Sequence, residues 1–269
     1  MRSALLRGRD FQTYGQTDVV GEANAAAALS IGGARKRYAH TDPNEDAAGF
    51  GVGDHGCVLV VADAHDGFEA SEVLVESLLA NPAPNWTDDD DAPDDARWQR
   101  YALAALCDAN DDVLRERSSR GGFESTSTLT MALIRPEADR IYHVAVGDSL
   151  LFAIEAGGTA RELAPSEHRP SFLGNTPLTA EQLAPATRIG SEVLGDVLGL
   201  VAVTDGLSER GIGVEVPADA VTAAVTLALA AEPPVRAMTM ARAVSEAALA
   251  AQVGNKAGDN VGVAVYWRD

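Results

Sequence analysis

Several short apolar runs along the chain end at an aspartate. The clearest is 58–62, Val-Leu-Val-Val-Ala, which has the length of a buried strand. It runs directly into Asp63 and then into a turn that holds His65 and Gly67. A buried strand fixes the position of a side chain at its tip, so the pattern is suited to a metal ligand. Taken alone, it fits equally well a strand, a polar turn and a helix capped by Asp66.

The same pattern predicts the other regular elements. Strands are expected over 25–31, 48–52, 125–134, 140–146, 150–154, 197–203 and 261–267, and helices over 68–79, 98–117, 218–231 and 235–252. Prolines and aspartates predict an exposed, mobile loop over 81–97. Residues 160–190 are proline-rich, which predicts a surface excursion or lid. His168 and Arg169 lie in it and could contact a substrate, but a solvated loop is the better interpretation. Residues 1–24 are expected to be irregular, with an edge strand over 11–20.

Acidic side chains recur at the ends of these strands. Asp63, Asp148, Asp205 and Asp259 each stand in a turn beside an apolar run. A hairpin from 48–52 to 58–62 adds Glu45 and Asp46 beside Asp63. Each is an ordinary turn residue alone, but together they predict carboxylates that converge on one edge of packed sheets. Carboxylates so close repel one another strongly unless a cation neutralises them, and all-oxygen sites favour Mg²⁺ or Mn²⁺ over zinc.

Composition narrows the class of protein. The chain has 269 residues, 46% of them hydrophobic, and a net charge of -19, which predicts a globular protein without a nucleic-acid partner. No run is long enough for a membrane span or a signal peptide, and Cys57 and Cys107 lack metal-binding spacing, so a cytoplasmic protein with no membrane partner is expected. No phosphate-binding glycine loop or nucleophile elbow is present, which favours metal-activated hydrolysis over covalent catalysis.

One basic run stands out in this acidic chain. Arg35, Lys36 and Arg37 follow the predicted strand 25–31. Such a run is either a solvated loop or a place to receive a phosphate through charge-assisted hydrogen bonds. The acidic run Asp88–Asp91 lacks the spacing of a calcium loop.

The order of these motifs resembles that of the type 2C family of metal-dependent protein serine/threonine phosphatases. The motifs are Asn44-Glu45-Asp46, Val61-Ala62-Asp63-Ala64-His65-Asp66-Gly67, Ser127-Thr128, Val146-Gly147-Asp148-Ser149, Val203-Thr204-Asp205-Gly206-Leu207 and Gly258-Asp259-Asn260-Val261. The resemblance implies an α+β fold, a four-layer α-β-β-α sandwich with two central antiparallel sheets flanked by helix pairs. It implies a single catalytic domain over 25–269, with 1–24 as an N-terminal extension or edge strand.

The resemblance also implies roles for the site residues. Asp63 would bridge two Mn²⁺ or Mg²⁺ ions, and His65 would be the general acid that protonates the leaving oxygen. The remaining ligands would be the Ala64 carbonyl for one ion, Asp205 and Asp259 for the other, Asp148 for a third and weaker ion, and Glu45 and Asp46 mainly through bound waters. The substrate would be a phosphorylated protein, in opposition to a serine/threonine kinase.

Two positions depart from the family pattern. Ala64 stands where the family has glycine, and a carbonyl ligand survives this change if the backbone angles allow a side chain. Thr41 stands where the family has its phosphate-binding arginine, so Lys36 or Arg37 would have to serve instead. This departure leaves two alternatives to a protein phosphatase: a catalytically weak or inactive module of the same fold that binds a phosphorylated partner, and a phosphatase for another phosphate monoester.

Overall fold

Two antiparallel sheets form the centre of the protein. The computed structural model describes residues 1–165 and 171–268, so His168 and Arg169 lie outside the described residues. The strands are β1 Arg2–Arg7, β2 Asp18–Glu22, β3 Ala25–Ser30, β4 Asp46–Val52, β5 Cys57–His65, β6 Thr126–Ser127, β7 Leu129–Arg135, β8 Arg140–Val146, β9 Leu150–Ile154, β10 Ala160–Glu162, β11 Arg188–Val193, β12 Gly199–Val203 and β13 Val261–Trp267. The first sheet has the order β1-β4-β5-β7-β8-β11, with β6 paired to the end of β5, and the second has the order β10-β9-β12-β13-β3-β2.

Helices cover the outer face of each sheet. They are α1 Glu69–Ala80, α2 Pro82–Asp88, α3 Asp95–Ser119, α4 Ala180–Leu183, α5 Pro217–Ala230 and α6 Arg236–Asn255. Helices α1 and α3 pack on the first sheet, and α5 and α6 pack on the second. Among the described residues, no helix combines the length and the apolar character needed to cross a membrane. The two sheets and the helices on their outer faces confirm the four-layer sandwich that the family resemblance implies.

Strand β5 shows why the central apolar run is unbroken. Val58 and Val60 point into the core beneath α1 and α3, whereas Leu59 and Val61 point into the core between the two sheets. Alternate side chains of a strand face opposite sides, so a strand in a middle layer needs apolar residues at every position. In β3, the small side chains of residues 25–28 fill the corresponding positions of the second sheet, and all four are fully buried.

Three predictions about chain segments need correction. The segment 81–97 is not a mobile loop throughout, because it contains α2, whose Trp86 is buried in the core. Pro82 opens this helix at a position where no backbone N–H bond is lost, so proline does not prevent it. The segment 160–190 is not wholly a surface excursion, because β11 begins at Arg188 and pairs with β8. The edge strand expected over 11–20 is instead β2, at Asp18–Glu22.

Residues 1–24 contribute an edge strand to each sheet. Strand β1 pairs with β4 in the first sheet, and β2 pairs with β3 in the second. The backbone of both segments therefore takes part in the hydrogen bonding of the sandwich.

Trp98 provides a test of how α3 is held on the first sheet. Its ring packs against Trp86 and Tyr142, and its Nε1 donates to the His143 carbonyl at 3.3 Å. Trp98→Ala should lower the free energy of unfolding by about 3–5 kcal/mol, because it leaves a large cavity in the core. Guanidinium denaturation measures this loss. The matched control Tyr101→Ala, on the exposed face of α3, should cost under about 1 kcal/mol, and an equal loss in both would contradict the assigned packing.

Candidate metal centre

Neighbouring strand ends bring the predicted acidic residues together. Strands β4 and β5 pair so that Asp46 lies directly opposite Asp63, as the predicted hairpin requires. In the second sheet, β12 ends just before Asp205 and β13 begins just after Asp259. The hydroxyl of Thr204 donates to Asp46 Oδ2 at 2.7 Å and so joins the two sheets at this edge.

Three carboxylates form the centre of the site. Asp63, Asp148 and Asp205 each place one oxygen within 4.8 Å of the others. Asp63 is buried, whereas Asp148 and Asp205 are partly exposed. Access from one side together with a buried floor is the arrangement that a bound ion and an incoming substrate both need.

Two glycines allow the acidic turns to approach closely. A Cβ at Gly206 would lie 1.7 Å from the Asn260 carbonyl oxygen, so only glycine lets the turns of Asp205 and Asp259 touch. Gly147 has a φ of +96°, a left-handed conformation that favours glycine, and it turns the chain immediately before Asp148. The Asp-Gly and Gly-Asp pairs in the sequence thus have a direct geometric reason.

Burial and mutual repulsion disfavour the charged form of these carboxyl groups. Burial raises the pKa of Asp63, and the charges of Asp205, Asp46 and Asp259 raise it further. Burial also raises the pKa of Asp205, and the charges of Asp259 and Asp148 raise it further. Asp46 is raised to a pKa of about 7, mainly by burial and although the Thr204 hydroxyl bond opposes the shift.

Glu45 lies beside this centre, and hydrogen bonds hold both its backbone and its side chain. Its backbone N–H donates to Asn260 Oδ1 at 2.9 Å. Its Oε1 accepts from the Gly67 N–H at 2.8 Å, and its Oε2 accepts from Lys36 Nζ at 3.0 Å. The Glu45 side chain is therefore fixed by the turn after β5 on one side and by a cation on the other.

Asp259 is also held by donors. The Tyr38 hydroxyl and the Asn260 N–H both donate to its Oδ1, and Lys36 Nζ lies 3.5 Å from the same oxygen. Asn260 further donates through Nδ2 to the carbonyls of Ile31 and Pro43, which ties the segment between β3 and β4 to the site.

His65 is exposed at the end of β5, two residues after Asp63. Its ring meets the Phe172 ring edge to face, with 4.9 Å between the centroids. Asp66 follows with a φ of +63° and Gly67 with a φ of +127°, so the chain turns sharply there. The alternative in which Asp66 caps the following helix is wrong, because Phe68 is the first flanking residue of α1 and no side chain caps it.

The backbone at Ala64 accepts its side chain without strain. Ala64 lies within β5, pairs with Ser127 and is absent from the positive-φ residues of the described chain. The Asp63 carbonyl, one residue earlier, accepts from the Ser127 hydroxyl at 2.9 Å and from the Thr128 N–H at 2.8 Å. These bonds fix the strand end that carries Asp63.

The structure thus brings most of the predicted residues to one place and adds several that the sequence did not indicate. Lys36 reaches the site as an ion-pair partner of its carboxylates, whereas Arg37 and Thr41 are exposed. Nothing in the sequence indicated that Tyr38 and Phe172 lie at the site, because a single aromatic residue in a polar segment belongs to no periodic pattern. Thr204 and Asn260 stand next to Asp205 and Asp259 in the sequence, and this adjacency was the only indication that they lie at the site.

The cluster fits a divalent cation on its own geometry. Its carboxylates converge at close range and supply only hard oxygen ligands, and burial together with neighbouring charges raises the pKa of Asp63 and of Asp205. Both ion pairs that the described residues form at the site belong to Lys36 and go to Glu45 and Asp259. The charges of Asp63, Asp148 and Asp205 therefore have no direct ion-pair partner within that part of the chain.

Comparison with known proteins shows which family and which solved structures this chain resembles. The sequence profile described as Protein phosphatase 2C matches residues 34–252. Among curated proteins, none matches the chain significantly. A bacterial serine phosphatase is 16% identical, with a TM-score of 0.66 over 92% of this chain and 98% of that one. The serine/threonine phosphatase Stp1 from Staphylococcus aureus is 14% identical, with a TM-score of 0.64 over 93% and 96%.

A mycobacterial protein shares the fold as well. The PPM Ser-Thr phosphatase MsPP from Mycobacterium smegmatis, solved in complex with cacodylate, is 22% identical, with a TM-score of 0.60 over 91% of this chain and 98% of that one. Identities this low show a common fold, whereas the profile match spans most of the sequence. The chain therefore belongs to the protein phosphatase 2C family.

Proposed function

We propose that this chain is a metal-dependent phosphatase that hydrolyses phosphoserine and phosphothreonine in protein substrates. The observation that carries the proposal is the group of Asp63, Asp148 and Asp205, whose oxygens lie within 4.8 Å of one another at the edge where the two sheets meet. A phosphoryl group is dianionic and needs positive charge to approach such a cluster, and divalent cations meet that need. Membership in the protein phosphatase 2C family supports the same reaction.

The carboxylates would hold the ions. Asp63, Asp205 and Asp148 would bind directly, with Asp46, Asp259 and the Ala64 carbonyl as further ligands and Glu45 acting through bound water. Mn²⁺ or Mg²⁺, when bound, would supply an activated water and would withdraw charge from the phosphoryl oxygens. The protein's own part is to hold these oxygens in place, which it does through the Thr204–Asp46 bond and the contacts at the end of β5.

His65 would complete the chemistry at the leaving group. It is exposed two residues after Asp63, so that a substrate side chain can reach it, and its ring meets the Phe172 ring edge to face. As the P–O bond to the serine or threonine breaks, the imidazolium would give its proton to the leaving oxygen. The product would be the free hydroxyl side chain and inorganic phosphate, and the enzyme would oppose a serine/threonine kinase.

Asp205→Asn tests the catalytic role of the cluster. It keeps the size of the side chain but removes one charge. In saturating Mn²⁺, kcat/KM for a phosphopeptide should fall by at least about 100-fold, which is more than the loss of a residue that only supports a metal ligand would cause. Asp90→Asn, in the exposed loop after α2, is the matched control and should keep wild-type activity. Undiminished turnover by Asp205→Asn would show that the cluster is not catalytic. A wild type that binds the phosphopeptide without turnover would identify a recognition module instead.

The raised pKa values predict how stability depends on pH. In the folded state Asp63, Asp205 and Asp46 bind protons at a pH where an unfolded aspartate, with a pKa of about 3.9, has lost them. The free energy of unfolding therefore falls as pH rises from about 4 through the pKa values of these groups in the folded state. For Asp46 that pKa is about 7. Without divalent ions, the melting temperature should be lower at pH 7.5 than at pH 5.5. Saturating Mn²⁺ at pH 7.5 should raise it, because binding neutralises the repulsion.

Asp63→Asn separates this repulsion from metal binding. In EDTA at pH 7.5 it should melt above the wild type, by roughly 2–4 °C for each kcal/mol of repulsion that it removes. It should also lose most of the Mn²⁺-induced shift. Asp90→Asn should behave as the wild type in both respects. If Asp63→Asn melted lower without ions and still responded fully to Mn²⁺, the assigned repulsion and ligand role would both be wrong.

A further inference from the structure

Lys36 is a buried cation inside the acidic site. Its side chain is only 3% exposed, and Nζ lies 3.0 Å from Glu45 Oε2 and 3.5 Å from Asp259 Oδ1. The chain contains 21 lysines and arginines, of which only Lys36 and Lys256 are lysines. An ammonium group is a compact point charge, closer in shape to a metal ion than the planar fork of an arginine. This compact charge lies within 3.5 Å of two carboxylates, those of Glu45 and Asp259.

The segment that carries Lys36 is fixed by its backbone. The Gly33 N–H donates to Gln252 Oε1 at 2.8 Å, and the Gly258 N–H donates to the Arg35 carbonyl at 3.1 Å. A Cβ at Gly33 would lie 2.2 Å from the Leu249 carbonyl oxygen, and one at Gly258 would lie 1.7 Å from the Ala34 carbonyl oxygen. The segment is therefore packed closely against α6 and the turn before β13. Its position is part of the fold.

Tyr38 completes the same arrangement from the outer side. Its hydroxyl donates to Asp259 Oδ1, and Lys36 Nζ lies 5.3 Å from the centre of its ring. The tyrosine ring therefore covers the ammonium group and limits its access to water. Burial disfavours an isolated ammonium charge, but the carboxylates of Glu45 and Asp259, at 3.0 and 3.5 Å from Nζ, stabilise it.

The two halves of the site therefore differ in charge balance. Glu45 and Asp259 have Lys36 as a direct partner, and three of their oxygens already accept hydrogen bonds. Asp63, Asp148 and Asp205 have no such partner among residues 1–165 and 171–268. A divalent cation entering the Glu45–Asp259 half would meet the lysine in direct contact with both carboxylates, whereas one held by Asp63, Asp148 and Asp205 would meet carboxylates that make no direct ion pair with Lys36.

We propose that Lys36 is an internal counter-ion that takes the place of one divalent cation in the Glu45–Asp259 half of the site. The chain then binds one Mn²⁺ strongly, through Asp63, Asp148 and Asp205, and a second at least about tenfold more weakly, because the second must overcome the lysine charge. This inference rests on the proposed function, since it assumes that the carboxylates hold metal. It departs from the two strongly bound ions that the family resemblance implies.

Isothermal titration of metal-free protein with Mn²⁺ tests the proposal without any activity assay. The wild type should show one strong site per chain and a second that is at least about tenfold weaker. Lys36→Met, which removes the charge and keeps the apolar stem, should gain affinity at the second site by at least about tenfold. Lys256→Met is the matched control, because Lys256 is exposed, and it should give the wild-type isotherm. Thermal melting of each variant establishes that it is folded.

The outcomes distinguish this inference from the proposed function. Two equally strong Mn²⁺ sites in the wild type would overturn the role of Lys36 while leaving the metal-dependent phosphatase intact. An unchanged second site in folded Lys36→Met would overturn it as well. The absence of any Mn²⁺ binding to the wild type would overturn the metal centre itself, and with it the proposed function. The wild-type stoichiometry decides the matter even if Lys36→Met does not fold.

Discussion

Electrostatic repulsion among buried carboxylates is the constraint on which the rest of this structure depends. Asp63, Asp148 and Asp205 place oxygens within 4.8 Å of one another, so their negative charges repel, and an unsupported loop would let them move apart. Here each is attached to the end of a strand in a sheet that is covered on both faces. The two sheets are further joined at this edge by the bond from Thr204 to Asp46. The apolar core thus holds together a group of charges that would otherwise separate.

This arrangement relates stability to function. Charges that repel in the folded state lower its stability, and proteins retain such groups where activity requires them. The remaining acidic residues at the site are treated differently, because Glu45 and Asp259 pair with Lys36. The carboxylates are therefore not equivalent, although in the sequence they are similar residues at strand ends. Lys36 pairs with two of them, and Asp63, Asp148 and Asp205 are left for a metal ion.

The strands and the acidic cluster were predictable because both depend on local patterns. Three predicted strands, 140–146, 150–154 and 261–267, agree residue for residue with β8, β9 and β13, since tight turns bound each apolar run. The aspartates meet because strand tips of packed sheets share an edge. Helix α2 was missed because prolines and aspartates indicated a loop, although Pro82 stands at the helix start, where it is tolerated.

The surroundings of the cluster were not predictable, because they depend on contacts between distant parts of the chain. Gln252 positions Gly33 from 219 residues away, and that contact helps to place Lys36 in the site. No pattern in the run Arg35 to Arg37 distinguishes the lysine that enters the site from the arginine that stays exposed. Ala64 illustrates the same limit, because only the backbone conformation of β5 shows that a side chain is tolerated there.

The most direct test of the account is the anomalous scattering of crystals grown with Mn²⁺. The account predicts a strong manganese peak between the carboxylates of Asp63, Asp148 and Asp205, with Lys36 still paired to Glu45. The absence of a peak at this cluster in saturating Mn²⁺, or a peak only at exposed acidic residues such as Asp88–Asp91, would contradict it.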